Sequence, residues 1–219
     1  PARIASFFGR VSYAYDDKYL VKFNLRSDRS SKFSSENGTL NFPSGSFAWR
    51  FTKEKFLPNI KWLSEGKFRF GYGAVGNNRI TDLAYQQLYG VTGEYAFNHS
   101  IVPGFAPVLL TNTSLRWEKN TSTNFGLDLG LFNNRIQVNI DAYKNSAKDL
   151  LLSVAIPPTT GYPFQLQNIG ATSNRGVEIQ IGATPIQKKN LTWTTNFNIA
   201  FNKNRVESLG GLQEQTKNS

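Results

Sequence analysis

Cysteine and methionine are both missing from this 219-residue sequence, and histidine occurs once, as His99. Without cysteine there is no disulfide framework and no thiolate metal site. A single histidine without cysteine argues against a His-based metal centre or a Ser-His-Asp triad. No run of about 18 apolar residues occurs, so no transmembrane helix is encoded. A membrane-spanning β-barrel stays open, because its strands alternate instead of running apolar. No secretory signal is visible at the start. The chain opens on Pro1 and reads as a processed chain or an internal piece of a longer one. Apolar residues make up only 39%, yet aromatics reach 14%, too many for a disordered chain.

The net charge of +10 raises the question of nucleic acid or an anionic surface. The basic residues are scattered, with short dense patches only at 53–55 (KEK) and 188–189 (KK), which read as solvated turns. No nucleic-acid partner is expected.

What the sequence does contain is alternation. In YLVKFNLRSD (19–28), Tyr19, Val21, Phe23 and Leu25 share one side, and Lys22, Asn24, Arg26 and Asp28 the other. The same period of two recurs over 6–15, 44–51, 67–73, 121–132, 135–144, 175–184 and 191–202. This gives eight strands, each with one apolar and one polar face. No amphipathic helix stands out, and a short turn near 53–58 is the best helical candidate. Short links (16–18, 133–134, 185–190) and a medium one (52–63) alternate with long ones (29–43, 74–118, 146–172). In an up-and-down meander all the short links fall on one side, as in a transmembrane barrel. Strands of about 8–12 residues fit the ~9–11 needed to cross a bilayer at a tilt. The fold class expected is all-β, with antiparallel up-and-down strands of a transmembrane barrel. A soluble β-sandwich, with the same aromatics as its core, remains the alternative.

Signals for chemistry are few. GYGAVG (71–76) matches G-x-G-x-x-G but lacks the following helix a dinucleotide site needs. It reads as a strand end opening into a loop. Asp128, Asp141 and Glu178 lie on polar faces of neighbouring strands. A glycosidase-type pair is conceivable there, but ion pairing with the many Arg and Lys side chains is the reading preferred. Five N-x-S/T sequons (Asn37, Asn98, Asn112, Asn120, Asn190) follow from the composition. The aromatic loop pieces VPGFAP (102–107) and PPTTGYPFQLQN (157–168) could stack and hydrogen-bond a sugar or peptide.

Specific strings then carry a resemblance. FFGRVSYAYDDKYLVKFNLRSDRSSKF, FPSGSFAWRF, FRFGYGAVGNN, LRWEKNTSTNFGLDLGLFNNRIQVNIDAYKNSAKDLLL, LQNIGATSNRGVEIQI and WTTNFNIAFNKNRV occur in this order. Together they resemble the barrel of SusC/RagA-type TonB-dependent outer-membrane transporters, over nearly the whole chain. The resemblance implies a bacterial outer-membrane location and a barrel of about 22 strands. Residues 1–219 would be part of that barrel domain, with the plug domain and TonB box outside this stretch. It implies energised uptake of large nutrients, oligosaccharides or peptides. The partners implied are a SusD-like surface lipoprotein lid, TonB–ExbB–ExbD, outer-membrane lipid and the nutrient itself. No cofactor and no catalysis are implied. Arg26, Arg50, Arg69, Asp128, Asp141 and Glu178 are expected to line the lumen, and Phe105, Tyr162, Phe164 and Gln165 to reach substrate from extracellular loops. The alternatives weighed are a complete small eight-strand outer-membrane barrel and a soluble carbohydrate-binding sandwich. The tail LGGLQEQTKNS (209–219) lacks the terminal aromatic strand of a closed barrel.

Overall fold

The computed structural model describes residues 2–57 and 60–210; the tail from 211 onward lies outside the described residues. The strands are β1 (Ile4–Tyr15), β2 (Tyr19–Ser30), β3 (Thr39–Trp49), β4 (Leu63–Asn77), β5 (Tyr89–Phe97), β6 (Ser100–Pro107), β7 (Glu118–Leu131), β8 (Ile136–Lys148), β9 (Leu151–Ala155), β10 (Phe164–Asn168), β11 (Ala171–Lys188) and β12 (Leu191–Ser208). Eight of them form one antiparallel sheet in the order β1-β2-β3-β4-β7-β8-β11-β12. β5–β6 and β9–β10 are separate hairpins within the two longest connections. The helical candidate near 53–58 is a single 3₁₀ turn over Phe51–Lys53, and residue 58 lies outside the described residues.

Short connections gather at one end of the sheet and long ones at the other. The tight turns run through positive φ, mostly at residues that tolerate it: Asp16 and Asp17 at 50° and 49°, Asn133 and Asn134 at 57° and 60°, with Phe132 at 52° beside them. Such backbone matches the twist of a hairpin, and short polar side chains offset its cost locally. β3 starts at Thr39, earlier than alternation suggests, and contains Pro43. Pro43 pairs with Leu25 of β2, while the ladder to β4 stops at Ser44–Gly73. Proline has no N–H for a second ladder, so it sits where β3 has lost that neighbour.

Register carries the two-faced pattern across the whole sheet. Tyr13, Val21, Phe47, Phe70, Phe125, Ala142, Val177 and Phe201 are successive cross-strand partners. The adjacent row holds Ser12, Lys22, Ser46, Gly71, Asn124, Tyr143, Gly176 and Asn202. A one-residue slip anywhere would turn apolar side chains onto the polar face.

The apolar row is not a core. Phe23 is 52% exposed, Phe70 38% and Phe197 57%. Among the described residues no second layer covers them, which removes the sandwich. β1 and β12 are the two edges of the sheet and do not pair with one another among the described residues, so these strands form an open wall and not a closed small barrel. The buried cluster is Phe33, Phe42, Ile80, Leu115 and Trp117, at the long-connection end. Trp117 packs on Phe33 and, edge-on, on Phe42, with ring centroids 5.4 and 5.8 Å apart. Its indole N–H donates to the Gly38 carbonyl at 3.0 Å. Gly76 permits this approach, since a Cβ there would lie 2.4 Å from the Phe42 ring.

Candidate functional site

Alternation puts Lys67 and Arg69 of β4, Asp128 of β7 and Asp141 of β8 on the polar face, and register brings them together. Arg69 donates to Asp128 through Nε and Nη2 at 2.8–3.0 Å, and to Asp141 through Nη2 at 3.0 Å. Lys67 completes the group, 2.9 Å from Asp128. Directly opposite Arg69 stands Gly126. A Cβ on Gly126 would lie 2.6 Å from the guanidinium carbon, so the bare backbone lets the guanidinium reach across β7 to β8. A planar five-donor guanidinium can join two carboxylates this way, and a lysine cannot.

The other charged candidates separate. Glu178 shares a register row with Asp141, is exposed and makes no ion pair among the described residues. Arg26 pairs along its own strand with Asp28 at 2.7 Å. Arg50 falls one residue beyond β3, at the short-turn end. It binds Asp17 at 2.6 Å, and Lys53 joins the same carboxylate. Nearby, Glu54 accepts from the Tyr19 hydroxyl and from the Trp49 indole N–H at 3.1 Å. Those donors hold the Glu54 carboxyl below its ordinary range, the Tyr19 bond contributing most. Lys53 does the same for Asp17, and Lys18 for Asp16.

Higher on the polar face, Val75, Asn120, Ser122, Asn145, Asn174 and Asn204 line a groove of about 610 Å³. Asparagine, serine and threonine dominate its rim, while most of the surface it presents is carbon. The Asn174 Oδ1 is buried without a hydrogen-bond partner, an acceptor open to a donor in the groove. A second hollow of about 390 Å³ lies deeper, around Asp141, Glu178, Gln180 and Asn198.

The long connections meet above the groove. Asn168 accepts from the Arg116 backbone N–H and donates back to the Arg116 carbonyl, both at 2.8 Å, and also donates to the Asp149 carbonyl at 2.9 Å. The Arg116 guanidinium binds the Asp149 carboxylate at 2.6 Å. Gln165 donates to the Thr111 carbonyl at 3.0 Å, and the Tyr162 hydroxyl to the Pro107 carbonyl at 3.1 Å. Tyr162 and Gln165 thus tie the two loops together, while Phe105 and Phe164 remain exposed. The clasp residues Arg116, Asp149 and Asn168 escaped the sequence reading, because they come from separate connections, with Arg116 lying 52 residues from Asn168 and 33 from Asp149.

Comparison with known proteins decides what this wall belongs to. The family described as "TonB dependent receptor-like, beta-barrel" matches residues 2–217. The chain belongs to the TonB-dependent receptor β-barrel family. Its members are outer-membrane proteins, so the apolar face is the lipid face and the polar face the lumen. TonB-dependent receptor SusC of Bacteroides thetaiotaomicron is 41% identical over 213 residues, covering 95% of this chain and 21% of that protein. TonB-dependent receptor P39 of Formosa agariphila is 38% identical over 206 residues, covering 94% and 20%. The structure of the RagAB peptide transporter superposes with a TM-score of 0.83 at 31% identity, covering 95% of this chain and 22% of that one. The siderophore receptor PirA of Pseudomonas aeruginosa shares the fold alone, at 16% identity and a TM-score of 0.57. The chain thus spans about a fifth of the length of the curated relatives it matches.

Proposed function

We propose that this chain is one stretch of the barrel wall of an importer that takes large polar nutrients, oligosaccharides or peptides, inward across the outer membrane. A SusD-like surface lipoprotein closes over the loops, and TonB–ExbB–ExbD supplies the energy through a plug domain carried elsewhere in the protein. The wall binds and guides; it does not catalyse, since Asp128 and Asp141 are committed to Arg69 and Lys67. The observation that carries this reading is the groove on the lumen face below the clasped loops, where Asn120, Asn145, Asn174 and Asn204 place amides along a largely apolar surface. Amides and hydroxyls offer donors and acceptors without a net charge, which suits sugar hydroxyls and peptide groups alike. Arg26, Arg69 and Glu178 lie on the same face, and Phe105 and Phe164 offer stacking surfaces at the loop end.

The test is uptake in a strain producing the full-length receptor from a complemented deletion. Labelled oligosaccharide and peptide pools are compared between the unchanged receptor and Asn145→Ala/Asn174→Ala/Asn204→Ala. Uptake of one pool should fall about tenfold in the variant at equal surface level. Receptor-independent uptake of both pools would overturn the proposal.

A further inference from the structure

The lipid face carries a feature that import through the lumen does not use. On β8, β11 and β12 the outward positions are apolar up to Ala142, Val177 and Phe201. The next outward row is Lys144, Arg175 and Lys203, each the direct cross-strand partner of the next. All three are exposed, and none makes an ion pair among the described residues. Like charges placed directly opposite each other are destabilising in a sheet; the Glu207 carboxylate further up β12 is engaged by Ser173 and Arg205, so this row favours an additional anion or high-dielectric solvent in front of it.

Its height on the wall is informative. On β12 the outward apolar run begins at Leu191 and ends at Phe201, interrupted only by Thr195. Ten residues at about 3.4 Å each, tilted by about 40°, span roughly 26 Å, the height of the apolar band of an outer-membrane barrel. Lys203 therefore stands at the boundary of that band, on the side of the long loops. A groove of about 540 Å³ runs across this boundary, with Phe125, Val177 and Phe201 below and the three cations above.

We infer that Lys144, Arg175 and Lys203 form a binding site for a phosphate-bearing lipid of the outer leaflet, acyl chains on the Phe125–Val177–Phe201 surface and phosphate on the cations. Charge complementarity selects the headgroup, and continuity with the apolar band selects an amphiphile over a soluble anion. Arginine supplies a forked donor for phosphate oxygens, and the flanking lysines supply point charges. The inference rests on the outer-membrane reading of the apolar face and is independent of the nutrient carried.

The experiment uses the full-length receptor purified in neutral detergent. Binding of bis-phosphorylated lipid A is compared with its dephosphorylated form and with inorganic phosphate. The unchanged receptor should bind the phosphorylated lipid about tenfold more tightly than the dephosphorylated one. Lys144→Gln/Arg175→Gln/Lys203→Gln should abolish that difference, and Arg175→Lys alone should retain most of it. Lys22→Gln, which removes a lumen-facing charge, should leave it unchanged. The single Gln variants stand in if the triple variant loses the heat-modifiable mobility of a folded barrel. Equal binding of both lipids, an unchanged triple variant, or competition by inorganic phosphate as strong as by the lipid would overturn the proposal. Failure of the outer-membrane reading would show differently, as a receptor extracted without detergent.

Discussion

Asp128 and Asp141 look alike in sequence but hold different positions in the ion network. Asp128 receives both Arg69 nitrogens and Lys67, whereas Asp141 receives a single Arg69 contact. All four side chains are partly solvated, which limits what each pair contributes. Asp128→Asn should destabilise the barrel by about 1–2 kcal/mol, because two cations lose a shared counter-charge. Asp141→Asn should cost less than about 1 kcal/mol. Thermal loss of heat-modifiable mobility in the purified full-length receptor measures both, and equal shifts would contradict this ranking. Gly126→Leu should resemble Asp128→Asn, since its side chain would occupy the path of the guanidinium.

At the scale of elements, the loops and the short turns behave as separate units. Asn168 makes three hydrogen bonds that hold residues 116, 149 and 168 together. Asn168→Ala should loosen that clasp by about 2–3 kcal/mol. Amide exchange should then rise together in 109–117 and 149–155 while β7 and β8 stay protected. A rise in only one loop would show that the two are not coupled. The opposite end responds to pH. Asp16, Asp17 and Glu54 have folded-state pKa values below their ordinary ones, through bonds from Lys18, Lys53 and Tyr19 respectively. Depressed carboxyls contribute stability that is present at neutral pH and is lost as pH falls through their folded values, below the usual range near 4. Lys18 is raised, chiefly by its hydrogen bond to Asp16, so its contribution is full at neutral pH and is lost as pH rises through its folded value. Exchange in residues 50–57 should therefore accelerate in acid before the strands open. Glu54→Gln should reduce that acid dependence.

For the whole molecule, the decisive property is which side of the wall meets lipid. Ile179 sits mid-band on the outward face, and its neighbour Gln180 points into the lumen. Arg in place of Ile179 should cost about 2–4 kcal/mol of folding in a bilayer. Arg in place of Gln180 should cost little. Folding of the full-length receptor into lipid vesicles, titrated with denaturant, separates the two, and equal costs would sink the assignment of faces.

The sequence by itself determined the eight wall strands, their two faces and the side on which short turns gather. Period-two alternation is local, and a strand exposed to lipid on one face and water on the other records both solvents in adjacent residues. Arg26, Arg69, Asp128, Asp141 and Glu178 were legible as polar-face residues for the same reason. Other features were decided only by tertiary structure. The β5–β6 hairpin was hidden because its register slips between Val91 and Gly93 and prolines interrupt β6. The β9 and β10 strands are five residues each, too short to show a period. Arg50 left the lumen wall because β3 ends at Trp49, where Asp17 and Lys53 gather around the turn. The Trp117 cluster, the Asn168 clasp and the Lys144–Arg175–Lys203 row join residues tens of positions apart, and only the register of the folded sheet and the packing of its loops bring them within reach of one another.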